Sequence, residues 1–311
     1  MTVSRILERF RTRVVRAATN PFQHAAYPLT HSLDYPGDPG LFGPGSVSWA
    51  ITGDVSSFIG GIRALLMQAA HPEVVAGVFD HSRYREDPLG RLSRTSNYVT
   101  ATAFGALPEV DRAVEVVKRA HRSIAGDSHR GRSYSADTPV LAAWVHNALT
   151  DSFLTAYRYF GARPLTDAEA DRYVAEQTQL GEMLFADPLP ATAPALADWL
   201  ANHPNAEPSP GMTEAVPFLQ NPPLAPGVKL GYKAMYWAAA ATVPTRIRRI
   251  LGIRRYPGAI LLGRAISRYL RWALGSSPSW LLALTRVDAE IPAGRFKQPL
   301  PAAVIERRGR L

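Results

Sequence analysis

Eight histidines and no cysteine set the limits on what this chain of 311 residues can do. Without thiolates, disulfides, iron–sulfur clusters, Cys-zinc sites and thiolate-ligated haem are excluded, so any metal must be held by His, carboxylate or Tyr. No two histidines have the spacing of an HExxH zinc site, and Trp144-Val145-His146 lacks the Glu of a carboxylate-bridged di-iron site. No Gly-x-Ser-x-Gly elbow supports a hydrolase. Phe58-Ile59-Gly60-Gly61-Ile62 lacks the Lys and Ser/Thr of a phosphate loop.

Among the histidines, His121 stands out by position. From Pro108 to Ala125, Val110, Val114, Val117, His121 and Ile124 recur every three or four residues, which puts the imidazole in an apolar helical seam. A neutral imidazole in such a setting suits a proximal haem ligand, because protonation competes with iron. The competing reading is a core histidine with its hydrogen bonds satisfied. His146, beside Leu149 and Phe153, is the runner-up ligand. His71 precedes Pro72 and is placed to cap a helix, and His81 lies at that helix's end. A second polar set is Arg91, Arg94, Thr95 and Tyr98, whose spacing puts all four on one helix face. A solvated arginine face is the plain alternative there.

The elements that position these residues read as helices. Asp54 to Ala70 carries one apolar stripe. Pro72 opens a helix to about His81, and Asp87 or Pro88 opens one through Phe104 to Gly105. Pro108 starts the His121 helix, with Gly126 expected at its end. Asp137-Thr138-Pro139 starts the next helix, closed by Gly161, and Thr166 with Glu169 forms a capping box for another. No sustained alternation and no Asn-Gly hairpin occurs, so the fold class is all-α. Four segments follow. Residues 1–48 are an N-terminal helix and an irregular arm, and 49–202 form a helical catalytic-type core. Residues 203–227 are a Pro-rich connection, and 228–311 are basic C-terminal helices ending in a loose tail beyond Ile291, packed on the core as one domain.

Net charge is +9 and unevenly spread: no acid falls between Glu214 and Asp288, where Lys229, Lys233, Arg246, Arg248, Arg249, Arg254, Arg255, Arg264, Arg268 and Arg271 all lie. Anionic lipid headgroups and haem propionates are candidate partners, and a solvated basic face is the alternative. Nucleic acid is not expected, since no helix-turn-helix, ribonucleoprotein or finger motif occurs. With no apolar run after the N-terminal arginines and none of membrane-spanning length, the expected location is cytoplasmic, with or without peripheral attachment to a membrane.

His71-Pro72 with Val74, Gly77, Val78 and His81-Ser82 is followed by Asp87-Pro88-Leu89-Gly90-Arg91-Leu92 with Arg94-Thr95. This series resembles the catalytic domain shared by rubber oxygenase (latex-clearing protein) and the MpaB-type oxygenases. The resemblance continues through Phe104-Gly105, Val117 to His121, Trp144-Val145-His146, Asp151-Ser152, Tyr157, Arg163-Pro164-Leu165 and Tyr173. It covers roughly 50–200, with a weaker match to about 285. It implies an all-α fold with a globin-like core and additional N- and C-terminal helices. It also implies haem b with His121 on the iron, and Arg91, Arg94 and Thr95 near the haem as catalytic residues. Tyr98 and Arg122 complete the candidate cofactor-binding set. Arg94 stands where rubber-cleaving members have Lys. Arginine stays protonated, so a hydrogen bond to iron-bound oxygen or a propionate pair is expected of it rather than ligation. The activity implied is dioxygen activation at haem and oxidation of an apolar, isoprenoid or lipid-like molecule. The alternative is a haem-free protein on the same scaffold that binds lipid or another hydrophobe.

Overall fold

The structure is a computed structural model that describes residues 3–309, with side chains from residue 7. Helix α1 (Val3–Thr19) leads into an arm of turns, then α2 (Val47–Thr52), α3 (Ser57–Ala69), α4 (Pro72–His81), α5 (Pro88–Phe104) and α6 (Leu107–His121). A hairpin of β1 (Ala125–Asp127) and β2 (Ser133–Ser135) follows, then α7 (Pro139–Phe160), α8 (Asp167–Met183), α9 (Ala193–Asn202) and α10 (Pro210–Gln220). The chain continues through α11 (Pro226–Thr242), α12 (Thr245–Ile250), α13 (Ala259–Leu274), α14 (Pro278–Arg286) and α15 (Ala302–Arg308). The fold is all-α.

Local chemistry explains most of the starts. Asp87 accepts from the Gly90 N–H with Pro88 in the first turn. Thr166 and Glu169 cap α8 reciprocally. Several expectations are corrected. The stripe expected from Asp54 begins as a helix only at Ser57. The His121 helix stops at His121, so Ile124 is off it, and Gly126 pairs with Tyr134 in an antiparallel hairpin instead of ending the helix. The Pro-rich connection contains α10, because Ser209 caps the Met212 N–H and Pro210 fills the first-turn position where no N–H is needed. The tail carries α15.

Contacts divide the chain into two units that do not follow the sequential segments, because amphipathic helices pack by face and not by chain order. The first unit comprises residues 1–55, 83–113 and 267–311. Its core joins Leu29, Trp49, Phe104, Trp280, Leu282 and Leu284. Arg286, 3 % exposed, ties this core to the arm. It donates to Ser32 Oγ at 2.5 Å and to the carbonyls of Phe104 (2.7 Å), Asp38 (2.7 Å) and Gly105 (3.2 Å).

The second unit comprises residues 56–82 and 114–266. Here α3 packs along α7, close enough that a side chain at Gly60 would meet Phe153 at 2.7 Å. Arg63, 2 % exposed, crosses this packing to Asp151 Oδ2 at 2.7 Å and Ser152 Oγ at 2.8 Å, and its Nε donates to the Thr242 carbonyl at 3.3 Å. The unit boundary falls within α6 and within α13. Among the described residues no helix is long and apolar enough to cross a membrane.

Candidate functional site

His121 closes α6 in the second unit. The seam that carries it starts buried at Val110 and Val114 and opens to half-buried at Val117 and His121. Loss of hydration pulls the imidazole pKa below its usual range, with nearby Asp137 opposing the shift in part. The ring therefore stays neutral near pH 7, and among the described residues no hydrogen bond occupies either nitrogen. Arg122 beside it is exposed. No group of three or more His, Asp or Glu able to hold a metal ion occurs among the described residues. Haem would need no such group, because one protein imidazole suffices to hold it.

His146, the runner-up, is enclosed. Burial pushes its pKa down to about 4. Thr150 Oγ1 is 3.5 Å from Nε2, and α8 approaches so closely that a side chain at Gly181 would lie 3.1 Å from the ring. His71 is also fully buried. It makes no cap hydrogen bond to α4, and neither ring nitrogen has a hydrogen-bond partner. Glu73 Oε2 lies 3.3 Å from Nδ1, but without hydrogen-bond alignment, and burial drives the ring toward neutrality with a pKa of about 4. Burial alone would raise the Glu73 pKa. Arg130 and Ser128 hydrogen bonds overcome that and hold it below the usual carboxylate range. Arg130 also pairs with Glu207 at 2.9 Å. The Trp144 ring meets those of His71 and His203 at a tilt, and Trp199 meets His203 edge-on. His203, Trp199 and Arg130 were not singled out from the sequence. They lie 57 or more residues along the chain from His71 or Glu73, and no local period links them.

In the first unit, α5 presents Arg91, Arg94, Thr95 and Tyr98, but their surroundings differ. Arg94 is exposed and paired with Asp87 Oδ2 at 3.2 Å. Thr95 is exposed, and its hydroxyl donates to the Arg91 carbonyl at 3.1 Å. Arg91 is half-buried. Its guanidinium has no hydrogen-bond or ion-pair partner among the described residues, and loss of hydration pulls its pKa below the arginine range. Two turns on, the Tyr98 hydroxyl is buried without a partner, and burial raises its pKa above the phenol range. Arg91 and Tyr98 thus share one helix face, each without a polar partner among the described residues, and the Tyr98 hydroxyl is closed to solvent as well.

The basic segment also separates. Arg271 is bound bidentately by Asp54 at 2.8 Å. Arg246 caps the carbonyls of Ala201, His203 and Ala206, and Arg264 donates to the Tyr159 carbonyl. Part of the charge run is therefore structural.

Over residues 49–272 the chain matches the family described as ER-bound oxygenase mpaB/B'/Rubber oxygenase, catalytic domain, and it belongs to that family. Neither a curated protein nor a solved structure matches the chain.

Proposed function

We propose that the protein is a haem b-dependent oxygenase that acts on an apolar, isoprenoid or lipid-like molecule and holds the haem iron through His121. The observation that carries this reading is the His121 imidazole, kept neutral by burial and left without a hydrogen bond, in a chain of an oxygenase catalytic-domain family. When bound, haem supplies the redox centre at which dioxygen is activated. The protein's own part is positional and electrostatic. His121 offers a lone pair that no proton claims at neutral pH. Arg91, on α5 of the first unit, is assigned to oxygen atoms of a bound ligand, which its positive charge would meet. Arg94 is already paired with Asp87, and Thr95 is bonded to its own helix, so both are assigned to shaping α5.

The test is spectroscopic. Protein expressed with haem supplied should show a Soret band, and His121→Ala should lose it while His146→Ala keeps it. A colourless wild-type protein, or a His121→Ala variant with unchanged colour, would remove the reading and favour a haem-free hydrophobe-binding protein.

The substrate class suggests a peripheral membrane role, and Leu230 and Leu261 support one because they are exposed next to the basic residues Lys229 and Arg264. Flotation with anionic vesicles at low salt should carry the protein upward, and high salt should release it. Protein that stays in the dense fraction at low salt would end that part of the proposal.

A further inference from the structure

The first unit carries a helix that the fold leaves half uncovered. In α1 (Val3–Thr19) no described side chain is fully buried. Leu7, Phe10 and Val14 recur every three or four residues and so share one face, yet Leu7 is 49 % exposed and Phe10 50 %. Arg9, Thr12 and Arg16 share another face by the same spacing, with Arg13 beside them, and all four are exposed. The helix holds one acid, Glu8, and Arg11 already pairs with it at 2.8 Å.

The apolar face of α1 is continued by aromatic rings instead of being closed by core. Phe10 reaches the Tyr269 ring, with centroids 6.4 Å apart, and Tyr269 stacks on Trp272 at 6.0 Å. Both rings lie in the last turns of α13, within the first unit, and each keeps more than a third of its surface exposed. Arg268 beside them is exposed as well. Arg11 donates to the Lys297 carbonyl at 3.4 Å and fastens the helix to the same unit.

Charge selects what covers this face. A second copy of α1 would bring arginine toward arginine, whereas an anionic lipid surface meets the arginines with phosphates. A helix with arginines on one side and Leu and Phe on the other suits the plane of a membrane interface, and Tyr and Trp rings suit the depth of its headgroups.

We propose that α1 lies flat in the headgroup layer of an anionic membrane, with Leu7, Phe10, Tyr269 and Trp272 toward the acyl chains and Arg9, Arg13 and Arg16 at lipid phosphates. The inference rests on the peripheral membrane role proposed above for the kind of partner, but its residues lie in the first unit, whereas Leu230 and Leu261 lie in the second.

The chain has no cysteine, so one introduced thiol puts a polarity-sensitive fluorophore at a single site of the full-length protein. With vesicles of mixed phosphatidylglycerol and phosphatidylcholine, a label on Phe10→Cys should brighten and shift to the blue, and one on Thr12→Cys should keep its emission in water. A label on Leu261→Cys reads the second unit separately. In flotation, Leu7→Ser with Phe10→Ser should weaken binding on the order of tenfold, as loss of two half-exposed apolar side chains predicts. Arg9→Gln with Arg13→Gln should weaken it by about as much at low salt and reduce the salt dependence. A shift at position 261 with none at 10 would overturn this inference and leave the membrane role standing, and no shift at any site with no flotation would remove both. Equal shifts at 10 and 12 would refute the flat orientation. A shift at 10 that grows with protein concentration in the absence of vesicles would assign the face to a second copy and also overturn the proposal.

Discussion

Two guanidinium groups in the first unit give opposite forecasts when each arginine is replaced by methionine, which keeps length and apolar stem. Arg286 is 3 % exposed and saturated, with one hydroxyl and three carbonyls as acceptors and Glu109 Oε2 at 4.0 Å. Removing it strands three carbonyls and leaves Glu109 without its nearest cation. Breaking a buried, hydrogen-bonded charge costs about 3–5 kcal/mol. At about 2.1 cal/mol/K of unfolding entropy per residue, each kcal/mol moves the melting temperature of a chain this long by roughly 1.5 °C, so Arg286→Met should melt about 5–8 °C lower. Arg91 has no partner, and its crowded surroundings already disfavour its charge. Arg91→Met removes that penalty and strands nothing. The expected change is between zero and about 1 kcal/mol in favour of the folded haem-free protein.

The same Arg91→Met substitution should weaken retention of a bound ligand, because the cation proposed to meet its oxygens is gone. Stability and ligand affinity then move in opposite directions, which a purely structural arginine does not do. Thermal melts of the haem-free wild type and both variants, with haem titration followed by absorbance, read both quantities. If Arg91→Met is destabilised by as much as Arg286→Met, Arg91 has a structural partner and the reasoning about α5 fails.

Acid should unfold the second unit early. Burial lowers the folded-state pKa of both His71 and His146 from 6.5 to about 4. The unfolded chain therefore takes up these protons first: stability is intact above about pH 6.5, falls as pH drops toward about 4, and loses no more from these groups below that. Each contributes on the order of 3 kcal/mol across that window. His71→Gln should flatten a plot of melting temperature against pH over it, and an unchanged slope would show that His71 is already protonated in the fold. Asp151→Asn, which leaves the Arg63 charge buried without a counter-ion, should cost about 3–5 kcal/mol in denaturant titrations. Arg63→Met combined with Asp151→Asn should cost less than the two single effects added, and strict additivity would deny the coupling.

What the sequence could reveal depended on how local the cause was. The capping box of Thr166 and Glu169 and the proline starts of α4, α5 and α7 depend on neighbours three or four residues apart, so they were readable. The shared face of Arg91 and Tyr98 was readable for the same reason. Which members of that face are free was not. Asp87 holds Arg94 from the far end of the helix start, and nothing in the spacing tells Arg91 from Arg94. The end of α6 was misread because Ile124 continues the apolar period after the helix has stopped. The hairpin that stops it depends on Ala136 N–H bonding the Ile124 carbonyl, a contact the helical period does not report. The pairing of the basic segment was hidden in the same way, since Asp54 meets Arg271 from 217 residues away.

The unpartnered phenols carry more weight than the other buried polar atoms that lack partners. The indole N–H groups of Trp49, Trp144 and Trp280 are also unbonded, but no common side chain fills the same volume without the nitrogen. Tyrosine differs, because phenylalanine packs the same ring and avoids burying a hydroxyl. A buried, unbonded tyrosine hydroxyl is a cost to the fold that one atom's removal would cure. Tyr98→Phe and Tyr236→Phe, each of which removes such a hydroxyl, should therefore each leave the ligand-free melting temperature unchanged or raise it by roughly a degree, about 1 kcal/mol or less. A fall in ligand-free melting temperature on either substitution would mean that the hydroxyl has a structural partner in solution, and the inference from that phenol would be withdrawn.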